Sequence, residues 1–112
     1  MQSRLNRKYT YRVVWSSKRN RHITTCAEFP EMEKESATVT GGISRLRREI
    51  QVKVEEMFNS GQEPPEPLGD KEYSGKFVLR ITPEMHRELA IEAAESGVSL
   101  NYHLASILMK RS

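Results

Sequence analysis

Within the stretch "KFVLRITPEMHRELAIEAAESGVSLN", Lys76, Val78 and Arg80 occur at every second position of six residues that alternate like a strand. One face of that strand therefore offers a cation, a methyl-bearing side chain and a second cation. Arg80 has the planar fork that matches the O6 and N7 acceptors of guanine, Lys76 can donate to guanine or phosphate, and Val78 suits a thymine methyl. Further on, Ser99, Leu100 and Asn101 open a helix whose first N–H groups, at the positive end of the dipole, can hold a phosphate. Base edges would give sequence and the phosphate clamp would give register.

Other residues that could do chemistry are poorly arranged for it. Glu28, Glu31, Glu33 and Glu35 crowd one stretch beside Pro30, with no second acidic position predicted to face them, so a divalent-metal nuclease site is not expected. His22, His86 and His103 have no second ligand at metal spacing, so neither a metal nor a cofactor is expected. Cys26, the one cysteine, excludes an intrachain disulfide and reads as a small packing residue rather than a nucleophile. Gly41 and Gly42 lack the Lys-Ser/Thr of a phosphate-cradling loop. Trp15 with Tyr9 and Tyr11 could stack bases, but the aromatic face reads as core. The chain is expected not to be an enzyme.

The elements that must position these residues follow from periodicity. "YTYRVVWS" (9–16) sets Tyr9, Tyr11, Val13 and Trp15 on one face of a strand, and "HITTCAEF" (22–29) sets Ile23, Ala27 and Phe29 on one face of a second, joined by a short polar turn. From Thr38 the period becomes helical, with Val39, Ile43, Leu46, Ile50, Val54, Met57 and Phe58 in one stripe that Gly61 ends. "QEPPEP" (62–67) carries three prolines and opens an acidic linker. Beyond it, Phe77, Leu79 and Ile81 share the apolar side of the 76–81 strand. Thr82 caps a helix with Pro83 at its first position and Met85, Leu89 and Ala93 inward. Gly97 ends that helix, and Ser99 caps another with Leu100, Leu104, Ile107 and Leu108 on one face.

The expected organisation is an α+β hairpin-plus-helix domain at 1–61, a Pro/Glu-rich linker at 62–75 and a strand-helix-helix domain at 76–112. A lone strand leaves its N–H and C=O groups without a ladder, and two short helices cannot cover its apolar side. A second copy answers both, giving a homodimeric ribbon-helix-helix domain, or a higher-order assembly of it, with Phe77, Leu79, Ile81, Leu89, Leu100, Leu104 and Leu108 in the dimer core.

At 112 residues with 37% hydrophobic and 29% charged side chains, the composition is globular, and no apolar run reaches the roughly 18 residues that cross a bilayer. With no secretory leader pattern and one cysteine, the cytoplasm is the expected location. Net charge is +3, and the basic excess is N-terminal: residues 1–60 hold 12 Lys and Arg against 7 Asp and Glu, residues 61–75 hold 1 against 4, and residues 76–112 hold 5 against 4. That last balance is a small electrostatic footprint for DNA, doubled by dimerisation.

The segment "SGKFVLRITPEMHRELAIEAAESGVSLN", with "YTYRVVWS", "CAEFP" and "GQEPPEP" upstream, resembles the HicB-type antitoxins, whose C-terminal domain is of the Arc/MetJ-like ribbon-helix-helix group. The resemblance implies a partial RNase H-like N-terminal domain that occludes a small HicA-type toxin, an mRNA-cutting ribonuclease. It also implies a homodimer on double-stranded operator DNA that represses its own operon. The alternatives are an orphan repressor without a toxin, or a dimeric interaction module that leaves DNA alone. The chain departs from the family at "TVTGGIS", where Thr38 is in place but Gly41 and Gly42 replace helix formers, so the long helix is expected to start late, around Ile43.

Overall fold

The computed structural model describes residues 5–111 and divides into two compact units, the first ending at Tyr73 and the second beginning at Ser74. The described residues form an α+β protein with four helices and a three-stranded antiparallel sheet.

In the first unit a short helix α1 (Leu5–Lys8) leads into β1 (Tyr11–Ser16), β2 (Arg21–Cys26) and β3 (Glu33–Ser36), in sheet order β1-β2-β3, followed by α2 (Val39–Asn59). The β1–β2 hairpin pairs Tyr11 with Cys26, Val13 with Thr24 and Trp15 with His22, and Asn20 turns it at φ 55°, a left-handed conformation that Asn tolerates. Because directly opposed residues share a face, Tyr11, Thr24 and Cys26 turn to α2, while Arg12, Val14, Ile23 and Thr25 lie on the other side. The core joins Tyr9, Cys26 and Phe29 to Leu46, Ile50 and Val54, the central part of the expected stripe on α2.

Several expectations change. The third strand was not expected: "EKES" has no apolar alternation, and Arg19, bonded to both Glu33 and Glu35 at 3.1 Å, ties this polar edge to the hairpin. The inward face of β2 is Thr24 and Cys26, not Ile23 and Ala27. Phe29 is buried, but from the turn beyond the strand, where Phe29 N donates to Cys26 O. Trp15 is 49% exposed, edge-on to the His22 ring, because β1 runs past the sheet area that the core fills.

The long helix also starts earlier than Ile43. Thr38 caps it, its Oγ1 accepting from Gly41 N at 3.1 Å, and both glycines fall inside the helix. Gly42 is there because the helix crosses the sheet too closely for a side chain: a Cβ would lie 2.3 Å from Thr24 Oγ1 and 2.7 Å from Ser36 Oγ. The cost of a helical glycine, about 1 kcal/mol, is the lesser term. Of the stretch 62–75 expected as a Pro/Glu-rich linker, residues 62–73 belong to the first unit, with Pro67 buried and a single 3-10 turn at Leu68–Asp70.

In the second unit an extended segment precedes α3 (Pro83–Glu95) and α4 (Leu100–Met109).

Gly42→Ala is expected to destabilise the first unit. Overpacking costs about 1–3 kcal/mol and outweighs the gain of roughly 1 kcal/mol in helix propensity. Thr24→Ala should restore part of the loss in the double variant, since Thr24 Oγ1 is buried without a hydrogen-bond partner among the described residues. Urea melts of the four proteins check this.

Candidate nucleic-acid interface

Local sequence fixes α3 and α4 firmly. Thr82 Oγ1 accepts from Met85 N at 3.1 Å, Pro83 occupies the first helical position and Glu84 meets the positive end of the dipole. The helix stops in a Schellman arrangement: Gly97 at φ 73° lets Val98 N reach Ala93 O at 3.0 Å and Gly97 N reach Ala94 O at 3.1 Å. Ser99 Oγ then accepts from Tyr102 N at 3.0 Å and starts α4. His103 Nε2 pairs with Glu92 Oε1 at 3.0 Å and ties the two helices side to side.

Residues 76–81 stand in front of this helix pair with no strand pairing among the described residues. Lys76, Val78 and Arg80 are exposed. The opposite side is exposed too: Phe77 is 75% and Leu79 55% accessible, and Ile81 and Met85 are also open. Ala93 is the one buried apolar side chain among the described residues of this unit. Leu89, Leu100 and Leu104 are half-buried, and Leu108 is exposed. Phe77, Leu79, Leu104 and Leu108 line one open groove that Lys76 and Asn101 also border. The groove thus joins apolar side chains of the extended segment to those of α4, with one cation and the start of α4 at its margin. Val78 and Arg80 lie outside it. Leu100 and Asn101 lie in the first turn of α4, where helix geometry provides their amides with no intrahelical acceptor.

The acidic residues of the first unit are dispersed. Glu33 and Glu35 sit on β3 with Arg19 between them, and Lys34 on the same strand pairs with Glu49. Glu28 is a backbone anchor, accepting from Thr10 N at 2.8 Å, Thr10 Oγ1 at 3.0 Å and Leu68 N at 2.9 Å. Nothing in the sequence signals this role, because the partners lie far away along the chain. Among the described residues no three His, Cys, Asp or Glu side chains come together as a metal site. Burial pushes the Cys26 thiol up to about 11, which keeps it neutral and supports the packing role. No helix among the described residues is long and apolar enough to cross a membrane.

A family model described as the HicB family matches residues 58–108, from the end of α2 through nearly all of α4. Over that span, a little under half of the chain, the protein is similar to the HicB family. No curated protein and no solved structure matches the chain.

Burial works to raise the pKa of Glu28, but the amides of Leu68 and Thr10 and the Thr10 hydroxyl outweigh it and hold the carboxyl below its ordinary value. A depressed folded-state pKa contributes stability above the unfolded value that is lost as pH falls through the folded one. Acid titration of the wild type should therefore show a loss of stability in the carboxylate range that Glu28→Gln lacks, measured as Tm against pH.

Proposed function

We propose that the chain is an antitoxin-type transcriptional regulator. It binds operator DNA as a ribbon-helix-helix dimer, represses its own operon and neutralises a HicA-type toxin through a partial RNase H-like N-terminal domain. The observation that carries the DNA-binding part is the state of residues 76–81: a strand-patterned segment without a ladder, its apolar side chains open beside an equally open helix pair. Unpaired backbone groups and an uncovered apolar face are both costly, and antiparallel pairing with the same segment of a second copy relieves both. Phe77, Leu79, Ile81, Leu89, Leu100, Leu104 and Leu108 then form one shared core.

In that dimer the two-stranded ribbon enters the major groove and presents Lys76, Val78 and Arg80 from each subunit. Arg80 carries most of the sequence discrimination by bidentate donation to guanine. Lys76 divides its role between base and phosphate, and Val78 meets a thymine methyl. Ser99, Leu100 and Asn101 clamp the phosphate backbone on either side and set the register. The four glutamates at 84, 88, 92 and 95 all belong to α3, which leaves the ribbon and the start of α4 free of carboxylates. The match to the HicB family over residues 58–108 supports both the ribbon assignment and a toxin-antitoxin role.

The test is a gel shift with the DNA upstream of the coding frame, alongside light scattering. The wild type should be a dimer and retard the fragment, with affinity falling steeply as salt rises. Arg80→Ala should weaken binding at least tenfold, since one bidentate contact accounts for about 1–3 kcal/mol and the dimer holds two. Leu79→Glu should abolish dimer and retardation together. A wild-type monomer, or retardation indifferent to Arg80→Ala, overturns the ribbon reading. Co-purification from the native locus tests the toxin: a small basic partner is expected, and its absence leaves the repressor without its antitoxin role.

A further inference from the structure

The segment between α2 and the second unit is bound to the first unit as a ligand binds a site. Tyr9 Oη donates to Pro65 O at 2.9 Å, Glu28 Oε2 accepts from Leu68 N at 2.9 Å, and Pro67 between them is buried. Pro67 has φ −56° and ψ 128°, close to the extended polyproline conformation. The two hydrogen bonds go to the backbone of the segment, three residues apart, and the side chain buried between them is a proline. An aromatic hydroxyl donating to a proline carbonyl close to a buried proline is the physics by which proline-rich peptides are recognised: the strand is stiff before it binds, so little entropy is lost on docking.

Both receiving side chains have partners besides the segment. Glu28 is already fixed by Thr10 N and Thr10 Oγ1, and Tyr9 is set edge-on to Phe29 with ring centroids 5.3 Å apart. Burial and the neighbouring Glu28 carboxylate push the Tyr9 hydroxyl up to about 12, so it remains a donor. Beyond these contacts the segment adds one exposed ion pair, Lys8 with Asp70 at 3.6 Å. Gly61 at φ 79° and Gly75 at φ 86° bound the segment, and both occupy backbone conformations open to glycine, where a hinge can turn.

We propose that Tyr9 and Glu28 frame a peptide-binding groove on the first unit, filled in cis by Pro64–Leu68, that accepts an extended proline-rich peptide of the same pattern in trans. Docked, the segment belongs to the first unit as far as Tyr73. Displaced by such a peptide, it becomes slack between Gly61 and Gly75. None of this depends on DNA binding.

The test uses the full chain with Pro64, Pro65 and Pro67 all replaced by glycine, titrated with a synthetic peptide of residues 62–70 and followed by amide chemical shifts. The variant should show saturable shifts at Thr10 and around Glu28, with a dissociation constant well below the roughly millimolar effective concentration that a short tether gives the same segment in cis. The wild type, its groove filled, should show little change, and adding Tyr9→Phe and Glu28→Gln to the variant should remove the response. A folded variant without shifts at Thr10, or shifts that survive Tyr9→Phe with Glu28→Gln, overturns the proposal. If the triple variant fails to fold, hydrogen exchange replaces it. Glu28→Gln in the otherwise native chain should lower protection of the Leu68 amide at least tenfold while α2 stays protected, and unchanged Leu68 protection overturns the proposal equally.

Discussion

A backbone amide taken out of water must find an acceptor, and in this protein that requirement separates two kinds of extended chain. In the first unit β1, β2 and β3 pair across the sheet, and even in the proline-rich segment Pro65 O and Leu68 N are met by Tyr9 and Glu28. In the second unit residues 76–81 have the composition of a strand and no ladder among the described residues. The same contrast holds for apolar surface. Leu46, Ile50 and Val54 are sealed in the first unit, whereas Phe77, Leu79 and Leu108 stand open in the second. One unit is complete within a single chain and the other has its edge and its core facing outward.

Much of this was legible in the sequence because it is local. Thr82, Pro83, Gly97 and Ser99 act within a turn of their own positions, so capping chemistry alone gives both ends of α3 and the start of α4. The stripe on α2 was equally readable, since burial imposes a helical period on Leu46, Ile50 and Val54 whatever they pack against. Strand alternation alone does not set Lys76, Val78 and Arg80 apart, because Phe77, Leu79 and Ile81 between them are exposed as well.

What was not legible depends on contacts distant in sequence. β3 is held by Arg19 and by pairing with β2, not by apolar alternation. The inward face of β2 is polar Thr24 beside Cys26, so a search for the more hydrophobic side selected Ile23 and the wrong parity. Gly42 was misread for a related reason: propensity counts the cost of a glycine in a helix, while the compensating approach to Thr24 exists only after α2 lies on the sheet. The linker reading of 62–75 relied on composition, which cannot reveal that Tyr9 and Glu28 provide a place for it to dock.

Trp15 is the sole tryptophan, half exposed at the end of β1 with His22 against its ring. Indole emission from this chain therefore reports on the hairpin of the first unit. Far-ultraviolet dichroism, by contrast, weighs α3 and α4 together with α2. A concentration series in which ellipticity shifts while fluorescence stays fixed would therefore be the optical signature of a chain whose halves melt by different laws, one unimolecular and one set by mass action.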